Sequence, residues 1–530
     1  MKQPAFLARA IFAAILATPL LGAAGSRPAA AQTLRVGVQA PFVVDPHLLF
    51  FGPNMAAARH IFDSLVGRDA DSRWTPSLAE SWKQLDDTTW EFKLRKGVAF
   101  QDGSPFTADD VVATFKRIPS IPNNPGPYTP NLRTVGKVEV VDPYTIHVHT
   151  TQPNPTLPGQ FTNIFIISKN LANTLGEAGS SKIAMGTGPY KLTGFTNGEG
   201  MTLERNESYW GKKPAYKNVT VKVITNNAAR EAALLSGDID LMENVPPDDV
   251  AGLKANPKTT VYSRPADRVV FLLPNVGADR LAAFTDASGK PLDVNPMRDA
   301  RVREALSLAV DRNALVQRVL SGQGEPTNQL VPDGFTGWIK DFAVPKADPQ
   351  RARKLLAEAG YPNGFHMSIV CTNDRYILDG RMCQALAQMF SRVGLTTNVD
   401  AIPGSMFMPR TKPGKNDESV MMYAISLSSL RDVAYILSLE SHSLDEKRGY
   451  GDGNRGGYSD PELDKMIEDA GKLTGPARDT ALQGVQREAV KRLGIIPLYI
   501  EPTIAGARSD VLYTPRMDQQ LVATGASPKP

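Results

Sequence analysis

The sequence predicts a mixed α/β protein folded as two or three lobes. Strand-like and helix-like segments alternate along the whole chain, the pattern of sheets covered by helices. The length left beyond an amino-terminal export segment, about 500 residues, exceeds what one hydrophobic core organises. No internal repeat, heptad run or low-complexity tract points to another architecture.

The export segment comes first. Lys2 and Arg9 supply positive charge, and Ala10 to Ala24 is apolar apart from Thr18 and Pro19. Ala29-Ala30-Ala31 before Gln32 fits a small-residue cleavage site. The alternative, a membrane anchor, needs roughly 20 apolar residues, more than this stretch supplies. Neither cysteine lies near the cleavage site, so no lipid anchor is expected, and the mature protein is expected to be free in the periplasm. Residues 1–31 hold three basic groups (Lys2, Arg9, Arg27) and no acidic one. Subtracting them from 59 basic and 55 acidic residues leaves 56 against 55, a net charge of +1. That balance offers nothing to nucleic acid or an acidic polymer.

Leu34-Arg35-Val36-Gly37-Val38 alternates as a half-buried first strand does, and so does Trp90 to Arg95. Asp102-Gly103-Ser104-Pro105 marks a turn, after which Thr107 and Asp110 can cap a helix carrying Val111, Val112 and Phe115. Val302, Ala305, Leu306, Ala309 and Val310 follow helical spacing, so 299–320 reads as one amphipathic helix. Asp348-Pro349 opens another. Ser459 and Glu462 have capping-box spacing before the stripe Leu463, Met466, Ile467 and Ala470. The last 15 or so residues, ending Ser-Pro-Lys-Pro, read as an irregular, mobile tail.

Catalytic and metal patterns are absent or incomplete. There is no H-E-x-x-H, G-x-S-x-G or Walker loop. His147 and His149 share a strand face, but no carboxylate or cysteine motif completes a metal site, and a solvated face is the simpler reading. Asp69-x-Asp71 starts like a calcium loop and lacks its glycine and final glutamate. Gly186-Thr187-Gly188-Pro189 is outwardly like a phosphate-cradling loop, but it lacks a third glycine and Pro189 removes an amide. Trp82, Trp90 and Trp210 read as core anchors. No cofactor and no metal are expected. Cys371 ends an apolar strand and Cys383 lies in the next helix, a short return that favours a disulfide in an oxidising compartment; two separately buried thiols are the alternative.

Seven segments, in order, resemble one family. They are LAESWKQLDDTTWEFKLRKGVAFQDGSPFTADDVVATFKR (Leu78–Arg117), GTGPYKLTGF (Gly186–Phe195), LERNESYWGKKP (Leu203–Pro214), ALLSGDIDL (Ala233–Leu241), RDARVREALSLAVDRNAL (Arg298–Leu315), ARKLLAEAGYPNGF (Ala352–Phe365) and YSDPELDKMI (Tyr458–Ile467). The family is the dipeptide/oligopeptide-binding group, family 5, of bacterial extracellular solute-binding proteins. The resemblance implies a two-lobed, hinged type II periplasmic-binding-protein fold of the large peptide-binder subclass. Lobe one would comprise 32–47, 185–270 and 485–530, with 48–184 an extra small domain packed on it and 271–484 lobe two. Ligand would bind in the cleft and favour the closed state. The implied role is the substrate-binding component of an ABC importer. The protein would be a monomer that delivers a peptide-like or other small polar solute to an inner-membrane permease. A periplasmic hydrolase with an unrecognised site and a ligand-presenting partner of a chemoreceptor are the alternatives.

The resemblance also suggests ligand residues. Some dipeptide binders of the family hold the ligand carboxylate with an arginine before a lobe-two helix; in CTNDRYILDGRM (Cys371–Met382) Arg375 and Tyr376 match it. An arginine fork pairs bidentately with a carboxylate; a solvated loop arginine is the alternative. Peptide-binding members carry a W-x-x-D motif whose aspartate pairs with the peptide amine. Here MMYAISLSSLRDVAYILSL (Met421–Leu439) places Ala424 and Leu427 at those positions, beside Tyr423, with Asp432 the nearest acid. Leucine cannot compensate an ammonium, so ordinary amine-anchored peptides are not expected as ligands unless another loop supplies the carboxylate.

Overall fold

The computed structural model describes residues 33–174, 185–427 and 429–530; the export segment lies outside them. Eleven strands form one sheet. Along its main path it runs Thr396–Ile402, His366–Thr372, Val420–Ser426, Thr259–Pro274, Ile496–Arg508, Leu241–Met242, Thr33–Val38, Asn218–Val223, Gly200–Arg205, Tyr190–Thr196. Leu34 and Val36 of the first strand are buried and Thr33 is exposed, as the alternation requires. A separate four-stranded sheet, ordered Ala79–Asp86, Thr89–Leu94, Thr145–Thr150, Val135–Asp142, is covered by the helix Ala108–Ser120. That helix opens on a capping box in which the Thr107 N–H donates to Asp110 Oδ2 at 2.8 Å.

Two strands set the architecture. Thr259–Pro274 and Ile496–Arg508 are antiparallel neighbours, paired from Thr259↔Arg508 to Pro265↔Pro502 and again from Val269↔Ile500 to Leu272↔Ile496. Between these stretches the register shifts, leaving residues 266–268 as an irregular step. Bulges of this kind bend and twist a strand. The step also divides the apolar packing. Val269 to Leu273 and Ile495 to Ile500 belong to the largest core, whereas Ala505 and Ala507 belong to a second core with Leu34, Val36 and Tyr190. A third core, Leu65 to Ile166, lies behind the four-stranded sheet and includes Trp90, with Trp82 and Trp210 packed against it.

Several expectations change. Position 484/485 falls inside the helix Gly475–Lys491, whose Val485, Ala489 and Val490 pack in the same core as Ile500, so the chain leaves that core only near residue 501. The predicted helix 299–320 is two helices, Ala300–Ala309 and Arg312–Val319. Asp311 breaks it, because its carboxylate caps the second helix by accepting the Ala314 N–H at 2.9 Å. Asp460, not Ser459, caps Pro461–Lys472: it accepts the Glu462 and Leu463 N–H groups, while Ser459 pairs with Ser443. The tail is not loose. Val511–Tyr513 pairs with Ala526–Pro528, and Met517, Leu521, Val522 and Ala523 are buried. Its Ala523 N–H donates to His60 Nε2 at 3.0 Å.

Gly186 and Gly188 lie against Ile61–Phe62, where a Cβ would approach the Ile61 carbonyl oxygen to 2.2 and 2.6 Å. They serve a close backbone crossing into the strand Tyr190–Thr196. His147 and His149 each face a carboxylate, Glu91 and Glu139, both at 3.3 Å. Asp69 accepts the Asp71 and Arg73 N–H groups of its own turn.

Candidate functional site

Polar groups from the crossing strands, the 373–378 loop and the tail converge at the irregular step. Glu501, fully buried, accepts the Ile377 N–H at 2.9 Å and the Gln519 side-chain amide at 3.2 Å, and faces Arg268 Nη1 at 3.4 Å. One carboxylate thus ties the crossing strand to the 373–378 loop on one side and to the tail on the other.

The 373–378 loop is held at both ends. Cys371, at the end of His366–Thr372, is bonded to Cys383 of the helix Asp379–Ser391, with Cα atoms 6.7 Å apart. Asp379 Oδ2 accepts the Thr372 hydroxyl at 2.6 Å and the Arg375 and Tyr376 N–H groups at 3.2 and 3.3 Å. Asp374 Oδ1 accepts the Gly404 N–H at 2.8 Å. A Cβ on Gly404 would come within 2.6 Å of Arg375 Cδ, so a side chain there would push the arginine stem aside.

This frame presents Arg375. The side chain is exposed, and its guanidinium lies 5.7 and 5.9 Å from the ring centroids of Tyr376 and Tyr423. Among the described residues it makes no ion pair. Tyr376 is buried, and burial pushes its phenol up; its hydroxyl donates to Ala424 O and accepts the Ala424 N–H, at 3.3 and 3.2 Å. Tyr423 is stacked on Phe407 and lies under Arg455, 4.8 Å from its ring. Both tyrosines form an aromatic floor beneath Arg375.

Asp432 requires a correction. It is 4 % exposed, its Oδ2 accepts Arg478 Nε at 2.8 Å, and its Oδ1 caps the Ala434 N–H at 2.7 Å. Both oxygens are committed to the fold, so it is not open to a ligand. Leu427 is buried in the largest core, so an apolar side chain fills the place where an acid was sought.

The turn after Val420–Ser426 also reaches the third core's side. Trp74 Nε1 donates to Ser429 O at 2.9 Å and Arg431 Nη1 donates to Asp71 O; outside that turn, in a later loop, Asp452 pairs with Arg133 at 3.3 Å. Sequence reasoning missed Arg268, Glu501, Gln519 and Asp267. A signal existed for one pair: Asp267-Arg268 places two charges directly before the apolar run Val269 to Leu273, inside a strand whose burial there favours neutral residues.

Residues 73–441 match the family model described as bacterial extracellular solute-binding proteins, family 5 Middle. The chain belongs to this family. It is 27% identical over 490 residues to the glutathione-binding protein GsiB of Shigella boydii, covering 90% of each chain. Among solved structures it resembles the DppA protein of Helicobacter pylori in complex with the peptide STSA, at a TM-score of 0.75 and 21% identity, over 94% of this chain and 98% of that one. It also resembles the periplasmic binding protein AgaA of A. tumefacien R10 in complex with agropinic acid, at 0.73 and 21%, over 94% and 99%. The chain is therefore a solute-binding protein of an ABC importer with the type II binding-protein fold, not an enzyme. No helix among the described residues is long and apolar enough to cross a membrane.

Proposed function

We propose that this protein, a periplasmic monomer, encloses one carboxylate-bearing, peptide-sized solute between two lobes and delivers it to an inner-membrane permease. The observation that carries this is Arg375, an exposed arginine without an ion pair among the described residues, over two tyrosines on a loop anchored to the strand crossing. A bidentate fork on a rigid frame is suited to a carboxylate. The relatives' names fit: glutathione, the peptide STSA and agropinic acid all carry carboxylates.

In this reading lobe two is the largest core and extends to about residue 500, later than the 484 expected from resemblance. The rest of the main sheet, with the chain ends, is lobe one, and 48–184 contributes the small domain. The irregular step at 266–268 with residues 500–502 is the hinge. The contacts of Trp74 with Ser429, Arg431 with Asp71 and Arg133 with Asp452 then hold the closed form. Calorimetry with glutathione and trialanine tests the ligand class. Arg375→Ala weakens binding at least tenfold while the fold melts as before; an undiminished affinity removes Arg375 from the site.

A further inference from the structure

His442 is a buried titratable side chain that solute binding leaves unused. It is 1% exposed and ends the helical turn Leu437–Ser441, its N–H donating to Leu437 O at 3.0 Å. Its ring is stacked on Tyr450, with centroids 4.3 Å apart. Nδ1 meets the Ser443 carbonyl oxygen at 2.7 Å and, farther off, Asp464 Oδ1 at 3.6 Å. Nε2 meets Glu468 Oε1 at 3.1 Å. A carbonyl oxygen and an ionised carboxylate only accept hydrogen bonds. Neutral imidazole has one N–H, so it satisfies one of these contacts and sets a lone pair against the other. The imidazolium satisfies both.

The groups around the ring favour that state. Burial works against the Glu468 charge, but bonds from His442 and from Arg448, whose Nη1 lies 3.0 Å from Oε2, hold its carboxyl below the ordinary range. Asp464 Oδ1 accepts the Ser443 N–H at 2.8 Å, and Arg448 Nε donates to Asp445 Oδ2 at 2.7 Å. Burial pushes the Tyr450 phenol up, so it stays neutral beside the ring. The cluster also joins two elements. Glu468 and Asp464 belong to the helix Pro461–Lys472, whereas Tyr450 belongs to the loop 443–457. That loop bends through Gly449, Gly451 and Gly457, with φ of 75, 70 and 62°. It is hung from the 438–442 segment, since Asn454 Nδ2 donates to His442 O and the Gly451 N–H to Ser438 O, both at 2.8 Å. Its far end meets Arg133: Asp452 pairs with the guanidinium, and a Cβ on Gly449 would come within 2.6 Å of Nη1.

We propose that His442 is a proton-dependent clamp: as the imidazolium it pins the loop 443–457 to the helix Pro461–Lys472, and loss of its proton frees the part of the loop that meets Arg133. Histidine is the side chain suited to this, because its charge changes under mild conditions. Acid then favours the closed form and alkali releases it. That last step rests on the reading that the Arg133–Asp452 contact belongs to the closed form.

The test uses the full mature chain without solute, its histidines labelled with nitrogen-15, at pH 6 and pH 9. Nuclear magnetic resonance reads the ring nitrogens, assigned with His442→Gln, and hydrogen exchange, corrected for its intrinsic pH dependence, reads the loop. The expected result is a His442 ring protonated on both nitrogens at pH 6. One proton should be lost by pH 9, together with at least a tenfold fall in protection of the 444–452 amides. His442→Gln carries no charge at either pH and should show the low protection at both. Glu468→Gln removes the facing anion and should move the loop's release to lower pH. A neutral ring at pH 6, an equal fall of protection in His442→Gln, or an unmoved release in Glu468→Gln overturns the clamp. A radius of gyration that does not grow from pH 6 to pH 9 while the loop is freed overturns only the coupling to closure.

Discussion

Arg375 and Asp432 sit in similar places, each just after a strand of the largest core and before a helix, yet they have opposite fates. The 373–378 loop satisfies its backbone with Asp379, Asp374 and Glu501 and leaves the Arg375 guanidinium unspent. The 427–433 turn spends Asp432 on Arg478 and on capping Ala434. A charged residue near a cleft is available to a ligand only when the surrounding fold supplies its own capping groups. The same logic separates the two carboxylates at the strand crossing: Glu501 is met by three donors, whereas Asp267 keeps one oxygen unmet.

The largest expected effect breaks the first pair. Asp432→Ala leaves Arg478 buried without its partner, and losses of about 3–5 kcal/mol are typical for such a change. Chemical denaturation should show that drop, whereas Arg375→Ala should stay within about 0.5 kcal/mol of wild type. Equal stabilities for the two variants would erase the contrast. Removing the disulfide with Cys383→Ser should cost about 3 kcal/mol on the chain-entropy model for so short a loop. It should also make the 373–378 amides exchange faster with solvent; unchanged exchange would mean the Asp379 bonds suffice alone.

Asp267 and Glu501 separate by pH. With its carboxyl pushed up to about 6, Asp267 binds its proton more tightly in the folded than in the unfolded state. Its contribution, up to about 3 kcal/mol, is therefore full below about pH 4 and lost as pH rises through 6. Asp267→Asn should flatten the stability profile over that window, and a profile unchanged by the substitution would show that Asp267 is not the group responsible. The smallest effect expected is on affinity: Arg375→Ala costs about 1.4 kcal/mol, the tenfold already given.

Much of the scaffold was legible because its signals are local. Alternation marked Thr33–Val38 and Thr89–Leu94, and the Thr107–Asp110 spacing marked the start of a helix. The site was legible only in part. Arg375 lies in a recognisable segment, but its freedom depends on Gly404 and Glu501, which are distant in sequence. Asp432 looked available because Arg478, its partner, lies 46 residues on. Asp267 stood out only as a charge beside an apolar run; its environment was not legible, since it is assembled from Ser426 and from a tail that reads as irregular but packs against His60 and Ala70.

The central claim is enclosure at the hinge formed by residues 266–268 and 500–502. Small-angle X-ray scattering of the wild-type protein, with and without a saturating solute that calorimetry shows to bind, tests it most directly. The account predicts a smaller radius of gyration with the solute bound; an unchanged radius at full occupancy would contradict it.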